Sequence, residues 1–535
     1  MMDVSRRTII VVLTAIVILA GFLRLYHFAS IPPGLYPDEA MDGNSALEAA
    51  RTAPFPSGMK AFYPENNGRE GLYVNALAVV FKVSGAAPEP WIVRLPAAIS
   101  GILTVLGIYF LAAELFGAEA GLFAAFLLAT SFWHINFSRL GFRAIMAPLF
   151  LTWALYFLLK GFKKLESGAP FSRAASFYLA GGVLWAAGFY TYIAYRVSPA
   201  LIALVFAFYW FAARRGGWQR SYLRSSALFT AASAVVAAPL AYYFFTHPGT
   251  FSERTSELSV FHSATPLQDL ARNTWKTLAM FNLQGDGNLR HNVMGRPELF
   301  WPVGILFLVG IAIGLRSLGG ATKHPGHTRG ADAKRRDPAR SPFSFVLLFA
   351  WFLLAMLPVV ISNQQLPHAL RSILMIPCVI MFAAVGGRAV YGWLGSAVSA
   401  RWLRLATLCF LALLTFEAYN TYFVLWAKNP ILPDVFNADY VSLGRELNAL
   451  PASTPKYVVV EAPGFRSRGI PVPAQTVMYI TDTFSADAQA AKNIHYVLPT
   501  DEASIPAGAS VFYVRAPGSD QIVAALPPTK AAPAP

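Results

Sequence analysis

Residues 8–28 read TIIVVLTAIVILAGFLRLYHF, and a short linker then delivers Tyr36-Pro37-Asp38-Glu39-Ala40. An unbroken apolar run of this length matches the ~20 residues that a helix needs to cross a bilayer core. The run is too long for the apolar part of a signal peptide, and no small-x-small cleavage site follows before Pro32-Pro33. It therefore reads as an uncleaved first span, with a pair of acids just beyond its end.

Working outward, similar runs recur at 91–113, 119–138, 143–160, 174–193, 197–213, 225–245, 299–315, 343–361, 371–394 and 402–425. That gives about eleven spans. Only 13% of the 535 residues are charged, against ~25% in a soluble domain. The main solvent is lipid, and the expected fold class is an all-α polytopic membrane protein. The composition shifts near residue 429. A helix is expected over 434–450, then strands at 457–460, 476–480, 495–498 and 511–514. The reading divides the chain into a membrane domain (1–428), a small α/β domain (429–526) and a Pro/Ala-rich disordered tail (527–535).

The net charge of +15 invites a nucleic-acid partner. The basic residues are instead sorted by side of the membrane, and no zinc-finger spacing or basic tract beside a soluble fold is present. With the N-terminus inside, the inner segments hold Arg6, Arg7, Lys160, Lys163, Lys164, Arg173, Arg214, Arg215, Arg220 and Arg224. Seven more lie in the connector 319–341 and its flanks, and Arg388, Arg401 and Arg404 complete the set. This bias predicts a multi-pass plasma-membrane protein. The long loops 29–90 and 246–298, and the C-terminal domain, would face outward. Cys378 and Cys409 both fall inside spans and read as packing residues.

The outer ends of several spans combine aromatics or histidine with arginine. Trp133-His134-Ile135-Asn136-Phe137-Ser138-Arg139 leads to Arg143, Tyr190-Thr191-Tyr192 leads to Tyr195-Arg196, and His368 leads to Arg371. One such cluster would be an interface belt. Three, with Arg290 and His291, suggest an anionic group bound outside, since a guanidinium fork suits phosphate. Nucleotide sugars and ATP are cytoplasmic, so an enzyme outside needs a lipid-linked donor. Asp38 could then accept the proton of an acceptor hydroxyl while arginines stabilise the departing phosphate. No Asp-x-Asp motif and no P-loop is present. Asp38 could equally cap the helix that follows. The Gly285-Asp286-Gly287-Asn288 turn is explained by turn chemistry, with acceptor binding by Asp286 as the alternative. Arg24 and His27 read as lipid-phosphate contacts or helix anchors, Asp42 as a solvated group or an aid to the site, and Glu417 as a paired, snorkelling or catalytic group.

Several stretches together resemble one family: Tyr36-Pro37-Asp38-Glu39-Ala40, Gly68-Arg69-Glu70-Gly71-Leu72-Tyr73, Val93-Arg94-Leu95-Pro96, Phe137-Ser138-Arg139 and Leu370-Arg371-Ser372. They look like the polyprenyl-phosphate-dependent glycosyltransferases of the GT-C fold, the group of protein O-mannosyltransferases and the lipid A aminoarabinose transferase. The resemblance implies that Asp38 is catalytic with Glu39 beside it, and that helices at 40–51 and 70–84 lie on the membrane surface over the site. Arg69, Arg139, Arg143, Arg196, Arg371 and His368 are the expected donor-phosphate contacts. Tyr36, Glu70, Tyr73, His134, Tyr192, Tyr195, Arg290 and His291 are the expected substrate-pocket residues. Relatives often have Lys or His with Pro-Pro where this chain has Arg69-Glu70-Gly71, and the Trp-Trp-Asp signature of oligosaccharyltransferases is absent. No metal ligand is assigned, and a divalent ion, Mg2+ or Mn2+, beside Asp38-Glu39 is left as an option. The expected partners are a polyprenyl-phosphate sugar, a glycan, lipid or protein acceptor, and membrane lipid, with no nucleic acid. The alternative is a transporter or flippase for a lipid-linked sugar.

Overall fold

A computed structural model describes residues 5–66, 68–251, 259–321, 342–362 and 365–516. The tail 527–535 and most of the connector 319–341 lie outside them. Among the described residues nine helices are long and apolar enough to cross a membrane, or ten if one bent pair counts as a span. The nine are Arg6–Leu25, Pro90–Phe116, Arg143–Glu166, Ile193–Gly216, Gln219–Thr246, Trp301–Gly319, Pro342–Val360, Ile373–Ala397 and Ala400–Trp426. The chain is a multi-pass membrane protein.

Two of the eleven expected spans differ. The run 119–138 is broken into Ala118–Thr130 and Phe132–Ser138, bent by 62°. Ser131 adopts an extended conformation at the break (φ −71°, ψ 119°). The run 174–193 forms the helix Phe171–Gly188, which is not among the nine. Arg173 and the small residues along it dilute its apolar character.

The chain forms two compact units. The first comprises Met1–Tyr26, Ala97–Arg139 and Arg143–Leu425; the second comprises His27–Pro96, Leu140–Phe142 and Trp426–Pro535. The expected boundary at 428 therefore misses a feature: the first long loop belongs with the C-terminal region, not with the spans.

In the second unit the motif helix Pro37–Arg51 and the helix Leu72–Ser84 both form. Tyr36 is the N-cap and Pro37 occupies the first helical position, where its fixed φ suits the helix and its missing N–H costs nothing. Asp38 is thus inside the first turn, and its alternative reading as the N-cap falls away. Twelve of the fifteen residues are buried, so the helix is covered on nearly every side. One cover is the helix Gln475–Thr481. The Asn44 amide donates to the Gln475 carbonyl and side-chain oxygens at 3.1 and 2.9 Å. Gly43 is required here, because a Cβ would meet the Tyr479 ring at 2.6 Å.

The run 476–480 was expected to be a strand and is a helix, with every residue from Gln475 to Thr481 buried. A short, uniformly buried apolar run carries no period to separate the two forms. Pro471 and Pro473 set the turn that starts this helix. The other expected strands form one parallel sheet, ordered Ile494–Val497, Lys456–Val460, Ser510–Val514. Lys456 pairs with Ile494 on one side and Ser510 on the other. The helix expected over 434–450 is split into Leu432–Val435 and Ala438–Ala449.

Candidate active site

The acid pair separates into two environments. Glu39 is fully buried. Its Oε1 accepts from Arg94 Nε at 3.0 Å and from the Gly141 N–H at 2.6 Å. Its Oε2 accepts from the Tyr36 N–H at 3.1 Å and from Arg94 Nη2 at 3.3 Å. Arg94 also donates to the Pro32 carbonyl at 2.7 Å and the Gly34 carbonyl at 2.8 Å. One carboxylate thus ties together the linker, the helix start, the entry of the next long helix and the segment 140–142. Glu39 was expected to be catalytic, and this geometry makes it a clamp. Asp38, one residue earlier, is exposed. One of its oxygens accepts from Asn66 Nδ2 at 2.8 Å.

Arg69 was expected to contact phosphate. Its guanidinium is buried and donates to Asp42 at 2.6 Å and to Ser45 Oγ at 3.0 Å. Glu70 is buried in the two-residue strand that Arg69 begins. The Tyr73 hydroxyl donates to the Val93 carbonyl at 2.6 Å, and Tyr36 packs edge-on against Phe142 with ring centroids 6.4 Å apart. Arg69 holds the motif helix through Asp42 and Ser45, and Glu70 and Tyr73 are buried rather than lining an open surface.

The first unit holds a second constellation, built on the bent helix Phe132–Ser138. Trp133 Nε1 donates to the Ala369 carbonyl at 3.0 Å. Asn136 Nδ2 donates to the Arg290 and His291 carbonyls at 2.8 and 3.0 Å. Phe137 packs on His291, centroids 5.5 Å apart. This helix therefore fastens two loops, and they meet: the His291 and His368 rings are 4.9 Å apart. Asp286, read from sequence as a turn residue, lies between them. Its Oδ2 is 2.8 Å from His291 Nδ1 and 4.0 Å from His368 Nδ1. The Ala369 N–H donates to the same oxygen at 2.8 Å, and the Asn288 N–H donates to Oδ1 at 2.8 Å. Burial pushes both imidazoles below their usual pKa, and the charges of Arg290 and Arg371 add to that effect. Burial alone would raise Asp286, but its hydrogen bonds and the facing histidines outweigh that and hold it below the usual carboxylate range. Four expected residues, Arg290, His291, His368 and Arg371, are thus brought together. Arg371 also donates to Ser362 Oγ.

The remaining expected residues have other surroundings. His134 is buried with Nδ1 2.7 Å from Arg24 Nη2. Arg139 donates to the Leu23 carbonyl at 3.3 Å, and its guanidinium lies 5.0 and 5.1 Å from the Tyr422 and Phe423 ring centroids. Arg196 donates to the Phe251 carbonyl at 2.7 Å and stacks on that ring at 4.2 Å. Tyr195 is fully buried against Phe189. Tyr192 and Arg143 are half-buried at the starts of two 3-10 turns.

Beside the acid pair, Glu39 already faces the Arg94 guanidinium, a fixed positive charge that opposes a cation there. Among the described residues, the group of three side chains able to hold an ion is Asp286, His291 and His368. Sequence reading had no signal for it, since nearly eighty positions separate the two loops.

The chain is similar to known proteins in two ways. Residues 73–244 match the family model of dolichyl-phosphate-mannose-protein mannosyltransferase. The solved oligosaccharyltransferase of Archaeoglobus fulgidus, in its apo form, superposes with a TM-score of 0.52 at 15% identity, over 89% of this chain and 64% of that one. The chain therefore spans just under two thirds of that relative's length. ArnT from Cupriavidus metallidurans, in a structure bound to undecaprenyl phosphate, superposes with a TM-score of 0.50 at 16% identity, over 92% of this chain and 90% of that one. No curated protein sequence matches the chain. The chain therefore shares the GT-C fold of these two solved transferases, and its residues 73–244 carry the match to the mannosyltransferase family model.

Proposed function

We propose that this protein transfers a monosaccharide from a polyprenyl-phosphate carrier to an acceptor hydroxyl on the outer side of the membrane, with inversion and with Asp38 as the base. One observation carries this reading. Asp38 is the exposed carboxylate at the start of an otherwise buried helix, and Glu39 and Arg94 fix that start in place. Such a base is positioned without being consumed by its surroundings. The family description names a lipid-phosphate mannose donor, and the ArnT structure holds undecaprenyl phosphate.

In the reaction, Asp38 takes the proton of the acceptor hydroxyl as its oxygen bonds to the anomeric carbon. The bond from that carbon to the phosphate oxygen breaks on the opposite face, and the electron pair leaves with the polyprenyl phosphate. Guanidinium groups stabilise that leaving charge. The sorting of basic residues by loop supports an active side facing outward.

The test is purified Asp38→Asn in liposomes supplied with a polyprenyl-phosphate sugar. A general base contributes typically ~10²–10⁴-fold, so transfer should fall by that order while the melting temperature stays unchanged. Full transfer by this variant would remove Asp38 from the mechanism. Movement of the lipid-linked sugar across the bilayer without product would mark a transporter instead.

A further inference from the structure

We propose that Asp286, His291 and His368 bind one divalent transition-metal ion of the zinc class, fastening the loop after Ala279 to the loop after Val360. The inference does not rest on the transferase reading. The three side chains are buried, and their donor atoms all lie within 4.8 Å of one another. Two donors on a tetrahedral zinc ion, each at ~2.0–2.1 Å, lie about 3.3 Å apart. The Asp286 Oδ2 distances of 2.8 Å to His291 Nδ1 and 4.0 Å to His368 Nδ1 fall on either side of that value. Side-chain shifts of about 1 Å bring all three into a coordination sphere.

Supporting bonds of the kind that orient ligands are already present. Both oxygens of Asp286 accept backbone N–H groups, from Asn288 and Ala369. The backbone around His291 is held by Asn136, and its ring by Phe137. Arg371 N–H lies 3.4 Å from His368 Nδ1, a long contact that does not hold this nitrogen away from a metal.

The donor set selects the metal. Two imidazoles and one carboxylate suit zinc and its neighbours, whereas Mg2+ and Mn2+ favour oxygen-rich shells. Three protein ligands leave a fourth position for water or an anionic oxygen.

The experiment strips detergent-purified protein with a chelator, reloads it with Zn2+, Co2+, Mg2+ or Mn2+ separately, desalts it and measures retained metal. One equivalent of Zn2+ or Co2+ per chain is expected, with a Co2+ visible spectrum of low coordination number, and no retained Mg2+ or Mn2+. His368→Gln and His291→Gln should each weaken Zn2+ binding by more than the ~10–100-fold that loss of a supporting bond alone produces. Should a variant misfold, the Co2+ spectrum of the unsubstituted protein decides. Absence of retained Zn2+ and Co2+ in that protein, or undiminished binding by a folded His291→Gln/His368→Gln variant, would overturn the proposal.

Discussion

Glu39, in the motif helix of the second unit, and Asp286, in a loop of the first, are both buried carboxylates, yet they are satisfied differently. Glu39 faces a guanidinium that is itself shared with two carbonyls. Asp286 faces two imidazoles and two backbone N–H groups. A guanidinium is permanently charged and cannot ligate a metal, so the Glu39 site is committed to holding segments together. Neutral imidazoles keep a lone pair available, so the Asp286 site retains coordination chemistry. A buried acid reveals its use through the chemistry of its partners more than through its own type.

Four substitutions break or sharpen this contrast. Arg94→Met strands Glu39 without its counter-charge. Breaking a buried pair costs about 3–5 kcal/mol, so the variant should melt far below the parent and expose 27–96 to protease. Glu39→Gln added to Arg94→Met should recover part of the loss, because no charge then remains buried. If Arg94→Met melts like the parent, Glu39 is no clamp. Asn136→Ala removes the donor shared by the Arg290 and His291 carbonyls. Leaving buried acceptors unpaired costs about 1–3 kcal/mol, and hydrogen exchange should rise over 288–292 with little change over 27–96. Equal changes in both segments would deny that the two regions are independently held. Smallest is Arg51→Ala, which breaks the Asp482 pair at 2.6 Å, where the arginine side chain is 57% exposed. An exposed pair contributes about 0.2–1 kcal/mol, so its melting temperature should barely move. A loss as large as that of Arg94→Met would show that exposure is a poor guide to these pairs.

Arg69 shows where sequence reading stops. Its type and place beside Glu70 suggested a phosphate contact, but Asp42, twenty-seven positions earlier, takes its guanidinium. The acid pair was legible as a pair, while its division into a clamp and an exposed carboxylate was not. The helix Gln475–Thr481 was misread as a strand because all of its faces are buried, which erases the periodic pattern that sequence arguments use.

Sequence alone determined nine of the eleven expected spans, because lipid admits no unpaired backbone and so imposes long apolar helices that composition reveals directly. It also placed a helix over 40–51, and the structure starts that helix three residues earlier, at Pro37. Tertiary structure decided which charges meet: Glu39 with Arg94, Arg69 with Asp42, and Asp286 with two histidines from separate loops. Electrostatic pairing acts over a few ångströms in space, and separation along the chain carries no information about it.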